Sequence, residues 1–160
     1  MKIGAYSIYS IETSIFGLDG GAMFGIIPKP LWEKKAPADE NNRIKMVTRS
    51  LLLVSGKRKI IVDTGNGEKW NERFRDIYAI DSKTVNLKKS LKKHDILVED
   101  ITDVFCTHLH FDHIGGNTCF EGKKLFPLSQ MLNIGFKKKI GIWQTLPLKK
   151  TREVLWRRTG

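Results

Sequence analysis

The sequence predicts a β-rich α/β domain rather than a doubly wound parallel sheet. Three observations carry that expectation. Alternating apolar and polar positions over "KIGAYSIYSI" and apolar runs in "RIKMVTRSLLLV" and "KIIVDTG" mark strands. Two later segments carry apolar residues at helical spacing. Strands and helices do not alternate regularly, as consecutive β-α-β units would require.

In chain order, Ile3 to Ile11 reads as a strand with one buried face. "FGLDGGAMFGIIPKPLW" follows. Its Gly17, Gly20, Gly21 and Gly25 suit sharp turns and close approach, and Pro28 and Pro30 stop regular structure. A strand over Arg43–Val54, the turn "SGKR" and a strand ending at Asp63 form a β-hairpin. Trp70, Phe74, Ile77 and Tyr78 lie at helical spacing, with Asn66 as the expected cap. A second helix begins after Asp81 or Ser82, pointing Val85, Leu87 and Leu91 inward. "ITDVFCTH" is a strand, and "TCFEGKKLFP" is a short strand and turn.

A length of 160 residues suits one domain, and 41% hydrophobic with 28% charged residues is a globular composition. No apolar run approaches the roughly 18 residues of a membrane span, so no membrane partner is expected. No secretion signal is read at the amino terminus. Cys106 and Cys119 make neither a disulfide framework nor a paired metal site, which fits a cytoplasmic protein. The net charge of +11 is unevenly spread. Through Pro127, 20 basic residues nearly balance 16 acidic ones; from Leu128 onward 8 basic residues face a single acid, Glu153. Most of the excess therefore lies in the tail, and no nucleic-acid partner is expected.

The densest chemistry lies in "CTHLHFDHIGG", residues 106–116, which holds three of the four histidines. Imidazole nitrogens and carboxylate oxygens are preferred ligands for zinc and related ions in hydrolytic sites. His108 and His110, two apart on an extended chain, can grip one ion. Asp112 and His113, offset by a turn, can reach a second. Gly115 and Gly116 let the loop fold tightly around both. Such ions make water an effective nucleophile near neutral pH. Isolated histidines are usually surface or satisfied core residues, but three in six positions with an acid between them favour metal ligation. His94, in "KKHDI", has no such spacing and reads as a solvated helix end.

"HLHFDH" matches the H-x-H-x-D-H motif of the metallo-β-lactamase superfamily, and "IIVDTG" resembles the strand and loop that precede it there. "FGLDGGAMFG" and "THLHFDHIGGN" resemble the branch of N-acyl homoserine lactonases, the quorum-quenching enzymes, and related organophosphate or ester hydrolases. The resemblance covers most of residues 1–127. It implies an αββα sandwich with two Zn2+ ions at one edge. His108 and His110 would bind the first ion and Asp112 and His113 the second, with Asp112 also handling protons. Asp63 would orient a ligand from behind, although Asp before Thr-Gly is also good turn chemistry. Met23 and Phe24, and Trp32 near them, occupy the segment that lines the substrate mouth in that branch, while core packing remains open for each.

The same resemblance implies a third histidine for the first ion, a bridging aspartate and a last histidine, all downstream. No histidine follows His113 and no aspartate follows Asp112. The expectation is thus an amino-terminal portion of the domain, residues 1–127, with a basic tail over 128–160. Regrouping the codons that can encode residues 129–145 allows P-N-A-K-Y followed by W, a segment expected in the lactonase branch. The tail is therefore expected to be out of frame, the alternative being a genuine basic helix through "LPLKKTREVLWRR". The reading is a metal-dependent hydrolase of small-molecule lactones or esters, with little or no activity in this chain. Thioesters, phosphoesters and a non-enzymatic basic binding module stand as alternatives, and a homodimer is left open.

Overall fold

The computed structural model describes residues 1–121, 124–128, 133–137 and 143–146. Its main feature is a mixed sheet of seven strands. In spatial order these are β1 (Lys2–Ile3), β2 (Tyr6–Asp19), β3 (Arg43–Ser55), β4 (Arg58–Val62), β5 (Asp103–Cys106), β8 (Asn133–Lys137) and β9 (Trp143–Leu146). The first four run antiparallel, β4 pairs parallel with β5, and β5 parallel with β8. A separate hairpin joins β6 (Thr118–Glu121) to β7 (Lys124–Pro127). This is the mixed α/β arrangement expected of the amino-terminal portion of an αββα sandwich. No helix among the described residues is long and apolar enough to cross a membrane.

Several expectations from sequence are met. The β3–β4 hairpin pairs Ser55 with Arg58 across Gly56 and Lys57, and Gly56 takes the positive φ of 53° that such a tight turn favours. Strand β2 is longer than the alternation suggested. It continues through Gly17, whose bare Cα lets the strand lie against Arg43, and the chain turns only over α1 (Gly20–Phe24). Helix α2 (Lys29–Trp32) comes next, with Pro30 in its first turn.

The expected cap at Asn66 is corrected. Helix α3 spans Glu72–Ile77, and Asn71 caps it by accepting from Phe74 N at 2.8 Å. Asn66 lies fully buried in the loop before it. Helix α4 (Leu87–Lys92) also starts later than expected, because Asn86 caps it by accepting from Lys89 N. The segment before it is held by Asp81, which accepts from Lys83 N and Thr84 N. His94 is not simply solvated: it is half-buried and its ring packs on Tyr9 at 4.6 Å. Strands β8 and β9, which the sequence pattern did not suggest, extend the sheet. The helix considered for residues 147–160 lies outside the described residues.

The core gathers on one sheet face. Ile11, Leu52, Ile61, Val104 and Cys106 point inward there, and Leu87 and Leu91 of α4 pack on them with Ile96, Ile101 and Ile114. Ser90 ties α4 to β2 by donating to the Glu12 carbonyl at 2.5 Å. Burying each aliphatic side chain stabilises by about 1.5–3 kcal/mol. Along β3 the burial alternates: Leu52 is 0% exposed, whereas Leu51 is 39% exposed on the opposite face. Leu52→Ala is therefore expected to cost about 2–5 kcal/mol in a urea titration and Leu51→Ala under about 1 kcal/mol. Equal costs would contradict this assignment of faces.

Candidate functional site

Parallel pairing places the ends of β4 and β5 at one edge of the sheet, with Val62 beside Phe105. The pairing continues beyond the strands. Asp63 N donates to Phe105 O at 2.8 Å, Thr64 N to His113 O at 2.7 Å, and Gly116 N to Gly65 O at 3.0 Å. Two loops far apart in sequence thus touch backbone to backbone. That contact leaves no room for side chains: a Cβ on Gly115 would overlap the Asn66 carbonyl, and one on Gly67 would overlap the Gly115 carbonyl.

Asp63 stands at the junction. Its φ of 58° is in the left-handed region, which aspartate tolerates better than most residues. The conformation turns the carboxylate toward the histidine loop. Oδ1 accepts from Thr107 N at 2.8 Å, and Oδ2 accepts from Thr107 Oγ1 at 2.7 Å and from His113 Nδ1 at 2.8 Å. Asp63 thus closes the turn after β4 and hydrogen-bonds to Thr107 and His113 with the same carboxylate.

The histidine loop changes conformation in its middle. Residues 107–110 are irregular, His110 is the extended residue that precedes α5 (Phe111–Ile114), and the chain then turns helical. His108, His110, Asp112 and His113 come together, with the His108 ring 3.8 Å from that of His113 and 4.7 Å from that of His110. Their donor atoms form two pairs. His108 Nε2 and His110 Nδ1 are 3.1 Å apart, and Asp112 Oδ2 and His113 Nε2 are 3.5 Å apart. Two donors about 2.0–2.1 Å from one tetrahedral zinc ion lie roughly 3.3 Å from each other, so each pair has the spacing to share an ion. Among the described residues, no three such donors meet at a single closed site. Burial first, then the neighbouring charges of His113 and His110, push the His108 pKa down and favour its neutral ring.

Several supporting residues were not singled out from sequence. Thr107 bridges Asp63 and His108, with Oγ1 also 3.1 Å from His108 Nδ1. Thr64 Oγ1 donates to Asn117 Oδ1 at 2.8 Å, and Asn117 Nδ2 donates to Cys106 Sγ at 3.2 Å. Burial pushes the Cys106 thiol up to about 11, so it remains protonated and acts as a packing residue. Phe111, one of the two unspecified positions inside the motif, packs against Phe16, Trp70, Phe74 and Tyr78, with ring separations of 4.6–6.2 Å. The helical spacing of Trp70, Phe74 and Tyr78 was the available signal for that cluster.

The two substrate-mouth candidates sit on α1. Phe24 stacks on Trp32 at 5.0 Å, and Trp32 is buried. Met23 is 45% exposed.

Comparison with known proteins places this geometry. The family model described as the metallo-beta-lactamase superfamily matches residues 45–123. The chain is similar to a structure described as a "probable metal-dependent hydrolase" from Staphylococcus aureus, at 37% identity and a TM-score of 0.65, over 74% of this chain and 43% of that one. It is similar to AidC, a dizinc quorum-quenching lactonase, at 25% identity and a TM-score of 0.60, over 88% of this chain and 44% of that one. Among curated proteins, it is 23% identical to a stretch of the cytochrome P450 monooxygenase mpaDE of Penicillium roqueforti, over 89% of this chain and 18% of that protein. The chain thus spans less than half the length of these proteins.

Gly115→Ala is expected to force the two loops apart, at a cost of about 1–3 kcal/mol, and to break the Asp63–His113 hydrogen bond. Thermal melting and the His113 ring signals in NMR check this. Unchanged stability and unchanged signals would refute the tight loop contact.

Proposed function

We propose that this chain, whose residues 45–123 match the metallo-beta-lactamase superfamily model, carries part of the metal site of a hydrolase that opens lactones or related esters. The observation that carries the reading is the arrangement of donors as two pairs, 3.1 Å and 3.5 Å apart. His108 and His110 would hold one zinc ion, and Asp112 and His113 a second. Divalent ions supply Lewis acidity there, polarising an ester carbonyl and acidifying water. The similarity to a dizinc lactonase supports zinc and a lactone substrate.

The chain's own residues then have separable tasks. Asp63 accepts the Nδ1 proton of His113, which fixes that ring and leaves Nε2 toward Asp112. Asp112, beside Nε2, is the carboxylate placed to take up and return a proton. Phe111 packs on its aromatic neighbours Trp70, Phe74 and Tyr78 beneath the loop. Two donors fill only half of a four-ligand shell, so efficient lactone opening calls for further ligands beyond these four residues.

Zinc titration of the metal-free chain tests the reading. Weak binding that His108→Ala and His113→Ala each diminish is expected, and Asp63→Asn is expected to lower affinity about 10–100-fold. A chain in which the shifted frame replaces residues 128–160 and runs on to complete the domain is expected to bind two ions. It is also expected to hydrolyse an acyl homoserine lactone in preference to a thioester or phosphoester. Absence of zinc binding in both forms would overturn the assignment.

A further inference from the structure

The hydrogen bonds around Asp63 run in a determined direction. An ionised carboxylate only accepts, so the Thr107 hydroxyl, 2.7 Å from Asp63 Oδ2, donates its single proton there. Toward His108 Nδ1, at 3.1 Å, the same oxygen can then act only as an acceptor. His108 Nδ1 therefore carries a proton, and in the neutral ring Nε2 is left as a lone pair. That lone pair faces His110 Nδ1 at 3.1 Å. With His108 Nε2 accepting, His110 Nδ1 must donate.

We propose that Thr107 is a positioning residue that sets the ring tautomer of His108 and, through His108, that of His110. The relay runs from His110 Nδ1–H to His108 Nε2, from His108 Nδ1–H to Thr107 Oγ1, and from Thr107 Oγ1–H to Asp63 Oδ2. His113 Nδ1–H reaches the same carboxylate oxygen directly. One charge thus orients three imidazoles by two routes, the longer of which passes through a single hydroxyl. The relay presents His108 Nε2 as a bare donor. It also holds His110 with its proton on the nitrogen that faces His108. Before both nitrogens can share an ion, the proton on His110 Nδ1 leaves to solvent and one is taken up at Nε2. The ring stays neutral, and His110 turns from hydrogen-bond donor into ligand.

The part of this inference that concerns ligation rests on the proposed metal site; the tautomers themselves do not. The test is long-range 1H–15N NMR of the uniformly 15N-labelled, metal-free chain at neutral pH. In the native chain, His108 and His113 are expected to show protonated Nδ1 and bare Nε2. Thr107→Ser keeps the hydroxyl and is expected to preserve this pattern. Thr107→Val keeps the shape but removes the hydroxyl, and is expected to move His108 toward the Nε2–H form while His113 stays unchanged.

The native spectrum decides the matter even if Thr107→Val fails to fold. A native His108 protonated at Nε2 overturns the proposal, as does a folded Thr107→Val chain that keeps the native His108 pattern. In a zinc titration, Thr107→Val is expected to bind about tenfold more weakly and Thr107→Ser to match the native chain. Native tautomers without zinc binding would sink the hydrolase reading alone. Zinc binding with the wrong His108 tautomer would sink the role of Thr107 alone.

Discussion

Parallel pairing between β4 and β5 is the constraint on which the site depends. In a parallel pair both strands leave the sheet at the same edge, so the loops beyond them are neighbours however far apart in sequence. Asp63 and His113 meet for that reason. The ladder does not stop where the strands do: the bonds from Asp63 to Phe105, Thr64 to His113 and Gly116 to Gly65 carry it through both loops. His113 is held through its carbonyl by Thr64 N of the other loop, while the His110 carbonyl accepts from His113 N and Ile114 N within its own loop.

Beneath that contact the interior is polar. Strand β2 bulges between Glu12 and Ser14, which turns both Thr13 and Ser14 inward. Their hydroxyls meet that of Thr48 at 2.8 Å and 2.7 Å, and Ser14 Oγ accepts from Asn66 N at 3.4 Å. Thr64 and Asn117 continue the seam toward Cys106. Each satisfied bond contributes only about 0.5–1.5 kcal/mol, yet leaving a buried group unpaired costs about 1–3 kcal/mol, so the seam admits few alternative arrangements. Asn66 shows the cost side, being fully buried with neither amide atom of its side chain hydrogen-bonded among the described residues. An apolar layer would tolerate sliding, whereas directional bonds fix the height and orientation of the loops above.

What could be read from sequence was what lies close together in sequence. The four donors share six consecutive residues, and the β3–β4 hairpin is written in adjacent apolar runs around a glycine turn. The rest needed distant partners. Asn66 and Asn71 are equally good caps by residue type, and only the contact of Gly115 with Asn66 decides that the first is buried and the second caps α3. Strand β2 hides its full length because the bulge breaks its alternation and Gly17 resembles a turn residue while packing against Arg43. Thr107 carries no motif of its own, since its importance comes from Asp63, a residue 44 positions away.

The change of backbone conformation at His110 lets one short loop bring four donors together, with the His108 ring 3.8 Å from that of His113. Before it the chain is irregular, and His108 Nε2 and His110 Nδ1 lie 3.1 Å apart; after it the chain is helical, where adjacent positions such as Asp112 and His113 lie about 100° apart around the axis. A wholly extended loop would have put His113 opposite Asp112, and a wholly helical one would have separated His108 from His110 by about 200° around the axis. The loop is useful because it is neither, and it holds that mixed conformation because Gly115 seats α5 against Asn66 while Asp63 anchors both its beginning, through Thr107, and its end, through His113. A single carboxylate just beyond β4 thereby ties both ends of the histidine loop to a strand that contributes none of the four donors.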